Sequence, residues 1–240
     1  MHYYIKNIFR TFWRNKASYL GSICIIALGI FIFVSMIDVL YNLDDQLQAY
    51  YEKNHLAQIF ASVDQMPQQD LQQLENIEGI ASVDGRLSGN LRLLLPNQDK
   101  IISVHALAYS DETRLNKITL LPKAGTISDQ MIFIGEKMAS VYQFEPLQTI
   151  TILTSAGEQT FQYGGQAREP EYIYTLPPDG MMPDGSIHDM AAMDKNRLEH
   201  LLQKENMVTE LGITLQPNYS FQDVQAQLED QLRPYGLLSL

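Results

Sequence analysis

The stretch Ala17–Ile37, ASYLGSICIIALGIFIFVSMI, contains 21 residues and no charge. As an α-helix it would be about 32 Å long at ~1.5 Å per residue, which is enough to cross the hydrocarbon core of a bilayer. A cleavable signal peptide would have an apolar core of about 7–15 residues and a cleavage site of small residues. This run is longer and ends in FVSMI, so a retained anchor is favoured over a signal peptide. We therefore predict a transmembrane helix over residues 17–39.

The charges on the two sides of this run differ in sign. The residues before it contain no acid and four bases: Lys6, Arg10, Arg14 and Lys16. The residues after it contain Asp38, Asp44 and Asp45 before the first base. Because basic flanks stay in the cytoplasm, we predict a protein of the cell membrane with a cytoplasmic N-terminus and its main domain outside.

Residues 1–16 are predicted to form a cytoplasmic amphipathic leader. Lys6, Arg10 and Arg14 recur every four residues, so a helix would place them on one face and the apolar residues on the other. Such a helix would bind membrane lipid at the anionic inner leaflet. Alternatively, these three bases and Lys16 only set the topology, and the sequence leaves both interpretations open.

The membrane run contains four small residues that would permit close contact with another helix: Ser18, Gly21, Ser22 and Gly29. Small side chains let two membrane helices approach each other closely. Glycine is also tolerated in membrane helices without any such contact. The pattern therefore fits either a packing face or the ordinary occurrence of small residues in a membrane helix.

Residues 40–55 are predicted to continue the helix as a stalk. Apolar residues recur at i, i+3, i+7 and i+10 and form a narrow stripe: Leu40, Leu43, Leu47 and Tyr50. We call these four residues the stalk seam. The seam is expected to pack either against the chain's own domain or against a second helix.

The part of the chain beyond the membrane run is strongly acidic. When the four leader bases and Asp38 are set aside, 13 basic and 27 acidic residues remain. This balance argues against binding to nucleic acid, whose phosphates attract basic surfaces. The single cysteine, Cys24, lies within the membrane run, so the external domain must be stabilised by its core without an intrachain disulfide.

Residues 56–240 are predicted to form an α+β domain in which a β-rich insert interrupts an α/β part. The α/β part comprises residues 56–88 and 188–240. Its first half contains a strand at Gln58–Val63, a helix that opens at Pro67 and stops at Gly79, and a second strand from Ile80. Its second half contains a helix capped by Asp194, a strand at Val208–Leu215 and a helix capped by Ser220.

The β-rich insert is predicted to span residues 89–187. Turn residues at Pro96-Asn97 and Ala156-Gly157 separate apolar or alternating runs, which is typical of two hairpins. Between the hairpins we expect a strand at Met131–Ile134 followed by a short helix from Glu136. A further short strand is expected at Glu171–Thr175.

No catalytic or cofactor-binding pattern is found in the sequence. It contains no phosphate-binding glycine motif and no nucleophile elbow, and its five histidines lack the spacing of zinc ligands. Met181, Met182, His188, Met190 and Met193 have the ligand types that copper prefers, but methionine also fills cores and loops. We therefore predict no catalytic residue, no metal and no cofactor.

Four stretches together resemble the first segment of an ABC transporter permease of the FtsX/MacB type. They are IKNIFRTFWRNKASYLGSICIIALGIFIFVSM at 5–36, IEGIASVDGRLSGNLRL at 77–93, KAGTISDQMIFIGEKMASVYQF at 123–144 and FQYGGQAREPEYIYTL at 161–176. The resemblance extends over nearly the whole chain and is carried by the order and spacing of these stretches. It implies a ferredoxin-like α/β part with a β-rich insert, placed outside the cell.

The same resemblance implies the partners and the role of the protein. In that family the permease dimerises or pairs with a second permease unit, and a separate cytoplasmic ATPase subunit hydrolyses ATP. The stalks couple this ATPase cycle to movement outside, in export, lipoprotein handling or envelope regulation. In that family three further membrane helices follow this segment, so we expect the chain to be either a fragment of a longer permease or the product of a truncated gene.

Two other functions fit the anchor and the external domain. A single-pass membrane sensor would require a ligand pocket with converging polar groups, and a membrane-anchored hydrolase would require a nucleophile or a metal site. Neither is evident in the sequence.

Overall fold

The computed structural model describes residue 13 and residues 15–95, 101–123, 126–154, 157–173, 175–177 and 182–240. The helices are α1 Lys16–Lys53, α2 Leu71–Glu75, α3 Glu136–Tyr142, α4 Lys195–Leu202 and α5 Phe221–Leu232. The strands are β1 Ile59–Pro67, β2 Ile80–Arg86, β3 Ser88–Leu94, β4 Ile102–Tyr109, β5 Thr119–Pro122, β6 Met131–Gly135, β7 Thr149–Thr154, β8 Gly157–Arg168, β9 His188–Asp194, β10 Met207–Leu215 and β11 Leu237–Ser239.

The chain divides into two compact units, residues 1–50 and residues 51–240. The first unit contains nearly all of α1, a helix of 38 residues with no buried side chain. It is long and apolar enough to cross a membrane. Its apolar side chains face outward from the chain; Ile25, for example, is 73% exposed and Phe31 is 68% exposed. Such exposure of large aliphatic and aromatic side chains indicates contact with lipid or with another chain.

Four strands of the second unit form an antiparallel sheet in the order β11-β1-β10-β2. Helix α2, preceded by a 3-10 turn at Gln68–Asp70, connects β1 to β2, and α5 connects β10 to β11. Two β-α-β units with the second strand of each on the outside give the ferredoxin-like topology. This sheet, called the ferredoxin-like sheet below, has its own apolar core, which includes Val63, Leu74 and Leu228.

The remaining strands form a second sheet in the order β5-β8-β6-β9-β4-β3-β7, and β7 also pairs with β8. This extra pairing closes six strands into a ring, called the barrel below: β3, β4, β6, β7, β8 and β9. Each strand contributes a side chain to one shared core: Leu91, Val104, Ile134, Ile152, Tyr163 and Met193. The α+β fold class predicted from the sequence is thus confirmed.

Strand β8 pairs with three strands: β6, β7 and β5. The change from β7 to β5 takes place at Gly164-Gly165. Residues 157–162 pair with β7, and residues 165–168 pair with β5. The register with β6 shifts at this point, between Ile132 and Phe133. Gly165 has φ +152°, and a Cβ there would overlap the carbonyl oxygen of Leu121. Only glycine fits this combination of a left-handed backbone and a close approach.

Three details differ from the expectations drawn from the sequence. Strand β9, at residues 188–194, belongs to the barrel, because it pairs with β4 and β6, and not to the α/β part. Pro67 is the last residue of β1 and the N-cap of the 3-10 turn Gln68–Asp70, and the α-helical turns are limited to Leu71–Glu75, so they end before Gly79. Glu171 to Ile173 form no strand, because their backbone wraps around a carboxylate that is described below.

The strand pairing of the two predicted hairpins and the later helix caps agree with the expectations, while the predicted turn residues Pro96, Asn97 and Ala156 lie outside the described residues. β3 pairs with β4 and β7 pairs with β8, both antiparallel. The Asp194 carboxylate accepts a hydrogen bond from the backbone N–H of Arg197 at 3.1 Å and caps α4. At the start of α5, Asp223 Oδ2 accepts from the backbone N–H of Ser220 at 2.7 Å.

Candidate functional site

The stalk seam lies along the second half of α1. Its residues follow one another at intervals of three, four and three, which is the 3.5-residue period of a coiled coil. Leu40 and Leu43 are 56% and 63% exposed. The same intervals continue backward to Met36 and Phe33, which are also exposed. Sequence reasoning missed this extension because both residues fall inside the apolar run, where every position is apolar.

The four small residues of the membrane run are not all on one face of α1. Ser18, Ser22 and Gly29 are four and seven residues apart and share a face, whereas Gly21 lies about 80° from the middle of that face at ~100° per residue. Ser22 Oγ donates a hydrogen bond to the carbonyl of Ser18 at 3.1 Å, within the helix. Apart from the adjoining residues and the nearby backbone of α1 itself, no atom of the described residues lies within 4 Å of a Cβ built on Gly21 or Gly29.

The predicted membrane-surface bases are only partly described. Lys6, Arg10 and Arg14 lie outside the described residues. Lys16 is the first residue of α1 and is exposed. The amphipathic leader therefore stays a prediction.

The candidate copper ligands do not come together among the described residues. Met181 lies outside them, and Met182 is 78% exposed. Met190 and Met193 lie on opposite faces of β9, because Met193 enters the barrel core and Met190 a separate cluster. In the part of the chain that the structure describes, no group of three His, Cys, Asp or Glu side chains is arranged to hold a metal ion.

A buried ion cluster joins the ferredoxin-like sheet to the barrel and was not foreseen from the sequence. The guanidinium of Arg86, at the end of β2, contacts three carboxylates. Its Nε lies 2.8 Å from Glu210 Oε2, its Nη1 lies 2.9 Å from Glu169 Oε1 and its Nη2 lies 2.8 Å from Glu171 Oε2. We call these four residues, with His105 and Tyr172, the Arg86 cluster.

The second oxygen of Glu210 connects the cluster to the barrel. Glu210 Oε1 lies 2.5 Å from His105 Nε2 on β4 and accepts a hydrogen bond from the Tyr172 hydroxyl at 2.7 Å. The Tyr172 ring also lies against His105 and Arg86, with its centroid 4.9 Å from that of the His105 ring and 5.5 Å from Arg86 Cζ. Glu210 therefore has partners on the ferredoxin-like sheet, on the barrel and on the segment after β8.

The chain after β8, at residues 169–173, makes a tight turn around the side chain of Glu169. Its Oε2 accepts hydrogen bonds from the backbone N–H groups of Glu171 and Tyr172 at 2.7 and 2.9 Å, while Oε1 binds Arg86. The side chain of Glu169 is fully buried, whereas that of Glu171 is 23% exposed. This tight turn explains why the segment forms no strand.

The carboxylates of the cluster have different pKa values because their surroundings differ. Burial acts to raise the pKa of Glu210, but the charge of Arg86 and the hydrogen bond from His105 outweigh it and hold that pKa well below its usual range. Burial raises the pKa of Glu171 to about 8; Arg86 opposes this shift, and the charges of Glu210 and Glu169 add to it. Burial likewise raises the pKa of Glu169 against the effect of Arg86.

A small cavity lies beside the cluster. Its volume is about 10 Å³ and its lining includes Asp84, Arg86, Asn116, Glu171 and Glu210, which leaves room for about one water molecule. Since its guanidinium already contacts three carboxylates, Arg86 has little capacity to bind a further anion. The cluster therefore has a structural role: its contacts connect the ferredoxin-like sheet to the barrel.

Comparisons with known proteins give similarity in structure only. No family model and no curated protein matches the chain. The extracellular domain of the noncanonic ABC-type transporter YknZ from Gram-positive bacteria is 14% identical, with a TM-score of 0.41 over 71% of this chain and 82% of that one. The periplasmic region of MacB from Actinobacillus actinomycetemcomitans is 10% identical, with a TM-score of 0.41 over 72% of this chain and 77% of that one.

A domain of a putative permease from Porphyromonas gingivalis is also similar, at 12% identity and a TM-score of 0.37 over 75% of this chain and 90% of that one. All three are described as domains of transporters or permeases.

Proposed function

We propose that the chain is the membrane anchor and extracytoplasmic domain of an ABC transporter permease of the FtsX/MacB type. In this proposal a cytoplasmic ATPase subunit hydrolyses ATP, and the permease transmits the resulting movement to its external domain. This movement would serve one of the roles that the resemblance implies: export, lipoprotein handling or envelope regulation.

The observation that carries the proposal is the continuity of α1. One helix of 38 residues contains both the uncharged run and the stalk seam, without a break between them. A continuous α-helix is stiff, because each turn is hydrogen-bonded to the next. A displacement of its membrane half is therefore passed to residues 40–53 without loss at a hinge.

The proposed topology is supported by charge. The bases before the run favour a cytoplasmic N-terminus, and the acidic balance of the remaining residues suits neither nucleic acid nor the anionic membrane surface. The proposed parts are the leader 1–16, the membrane helix 17–39, the stalk 40–55 and the external domain 56–240.

The stalk seam supports pairing with a second stalk. Its exposed leucines follow the 3.5-residue period that two helices require to interlock. The partner in this proposal is a second copy of the chain or another permease unit. Ser18, Ser22 and Gly29 on one face of the membrane half would permit the same two helices to approach within the bilayer.

One observation favours a single-pass sensor as the second candidate. A cleft of about 340 Å³ is lined by charged side chains that include Glu75, Asp84, Glu112, Arg114 and Lys195. Several of these groups already have partners: Arg114 contacts Glu75 at 3.0 Å, and Lys195 donates to Gln68 at 2.7 Å. The cleft is thus a weaker basis than the helix, because a ligand would have to displace these contacts.

Purification from the native membrane tests the transporter proposal. The tagged gene product, with its natural reading frame, is solubilised in mild detergent and analysed by mass spectrometry. We expect an ABC-type ATPase in comparable amount, and ATP hydrolysis by the purified complex. A product that continues into no further apolar runs and is accompanied by no such ATPase would overturn the proposal and favour the sensor.

A labelling experiment tests the topology separately. In a Cys24→Ser background, single cysteines replace Ser140, which is exposed in the domain, or Lys16 at the start of α1. A membrane-impermeant maleimide added to intact cells should label the cysteine at 140, and the one at 16 only after lysis. The opposite pattern would reverse the assigned orientation.

A further inference from the structure

We propose that the Arg86 cluster is a proton-dependent clasp between the ferredoxin-like sheet and the barrel, in which the carboxyl group of Glu171 is the group that gains or loses the proton. The clasp holds the two halves together while Glu171 is protonated. It loosens when Glu171 is ionised and the segment after β8 moves outward.

The cluster lies at the junction between the ferredoxin-like sheet and the barrel. Arg86 and Glu210 belong to β2 and β10, which are the two strands between which the barrel is inserted. Glu171 belongs to the segment that leaves β8, and His105 to β4, both on the barrel side. The bond between Arg86 Nη2 and Glu171 Oε2 therefore connects the two halves directly.

The groups that face Glu171 have an excess of negative charge. The charges of Arg86 on β2, Glu210 on β10 and Glu169 on its own segment act on it, and Asp84 of β2 lines the same cavity. His105 of β4 and Tyr172 contact Glu210, and His188 of β9 interacts with His105. The loop before β5 contributes Asn116, whose Nδ2 lies 3.5 Å from Glu171 Oε2, while Arg114 of that loop contacts Glu75. One guanidinium thus faces three carboxylates, and a third negative charge is repelled by the other two.

Of the three carboxyl groups in the cluster, that of Glu171 is held by the fewest contacts. Glu169 is held by two backbone N–H groups, and Glu210 by His105 and Tyr172. Glu171 has one close partner, Arg86, and its side chain reaches solvent. Burial already raises its pKa to about 8, so that the proton is lost in a range that an external domain can meet.

A distance measurement across the clasp tests the proposal. Spin labels are attached to cysteines that replace Gln222 on α5 and Ser140 on α3, both exposed, in the full chain with Cys24→Ser. The distance distribution is recorded by pulsed electron resonance at pH 6 and pH 9. We expect a shift to longer or broader distances at pH 9, and no shift in a Glu171→Gln variant, which has the shape of the protonated acid.

A matched control uses another Glu–Arg pair. Glu136 contacts Arg168 at 2.7 Å, with both side chains about half exposed, and Glu136→Gln should leave the pH-dependent shift unchanged. The proposal is overturned by a wild-type distance that is the same at both pH values, by an equal shift in Glu171→Gln, or by a Glu171→Gln variant that is already open at pH 6.

Discussion

Arg86 and Glu210 lie directly opposite each other on adjacent antiparallel strands, with Arg86 Nε 2.8 Å from Glu210 Oε2. Both side chains are almost fully buried. Removal of one partner from a buried ion pair is costly, because the other charge remains buried without compensation. At this position the carboxyl groups of Glu169, Glu171 and Glu210 all contact a single guanidinium.

We therefore expect Arg86→Met to destabilise the domain by about 3–5 kcal/mol. For a domain of this size that corresponds to a Tm roughly 10 °C lower. Thermal unfolding of the detergent-solubilised chain, followed by near-ultraviolet circular dichroism, measures the change. Arg168→Met is the control, since its exposed pair with Glu136 should contribute less than about 1 kcal/mol. Equal effects of the two substitutions would contradict the assigned importance of the cluster.

The stability of the domain should decrease on both sides of a pH optimum, along an acid limb and an alkaline limb. Glu210 has a lowered pKa, so its contribution is present above about 4.5 and is lost as the pH falls through its native pKa. Glu171 has a pKa raised to about 8, so its contribution is complete below about 4.5 and is lost as the pH rises to 8. The Tm should thus be highest at mildly acidic pH.

A Tm profile from pH 3 to pH 9 checks this expectation. Glu171→Gln should flatten the alkaline limb and leave the acid limb in place, while Glu136→Gln should keep both limbs. If the alkaline limb keeps its slope in Glu171→Gln, the loss of stability at high pH does not come from Glu171. It would then come from other groups with raised pKa values, of which Asp189 is one.

Gly165→Ala should weaken the pairing of β8 with β5. The alanine would need a strained backbone at φ +152°, and its Cβ would overlap the carbonyl oxygen of Leu121. We expect a loss of more than about 1 kcal/mol, measured as a lower Tm. Gly157→Ala separates the two causes, because Gly157 has φ +110° and no atom of the described residues within 4 Å of its Cβ position. A smaller loss at 157 attributes the difference to the overlap.

Leu43→Cys should form a disulfide-linked dimer in membranes under mild oxidation, in a Cys24→Ser background. Leu43 belongs to the stalk seam, whereas Asp45 lies about 160° around the helix, at ~100° per residue. Asp45→Cys is therefore the control and should cross-link poorly. The measurement is the dimer fraction on a non-reducing gel. Equal fractions for the two variants, or no dimer in either, would contradict a paired seam.

Local features of the fold could be predicted from the sequence. The uncharged run indicates α1, and Asp194 and Ser220 indicate the starts of α4 and α5, because each signal involves neighbouring residues. Strand β9 was assigned to the wrong part because all but its last residue are buried. A strand that is buried on both faces shows no alternation from which its partners could be inferred.

The Arg86 cluster could not be assembled from the sequence, because Arg86 is 83 residues from Glu169 and 124 from Glu210. A partial signal was present. Glu210 lies within the apolar strand Met207–Leu215, and Arg86 lies three residues after the buried Val83. A charged residue at an inward position of a strand indicates a buried partner, but does not identify it.

The insertion point of the barrel has a consequence for how such proteins can diversify. β2 and β10 are hydrogen-bonded neighbours, so the chain leaves the ferredoxin-like sheet and returns to it at adjacent positions. A short turn could connect the same two strands, as in an ordinary hairpin. The inserted module could therefore be exchanged for another by recombination at two nearby sites, while the register of the host sheet is retained.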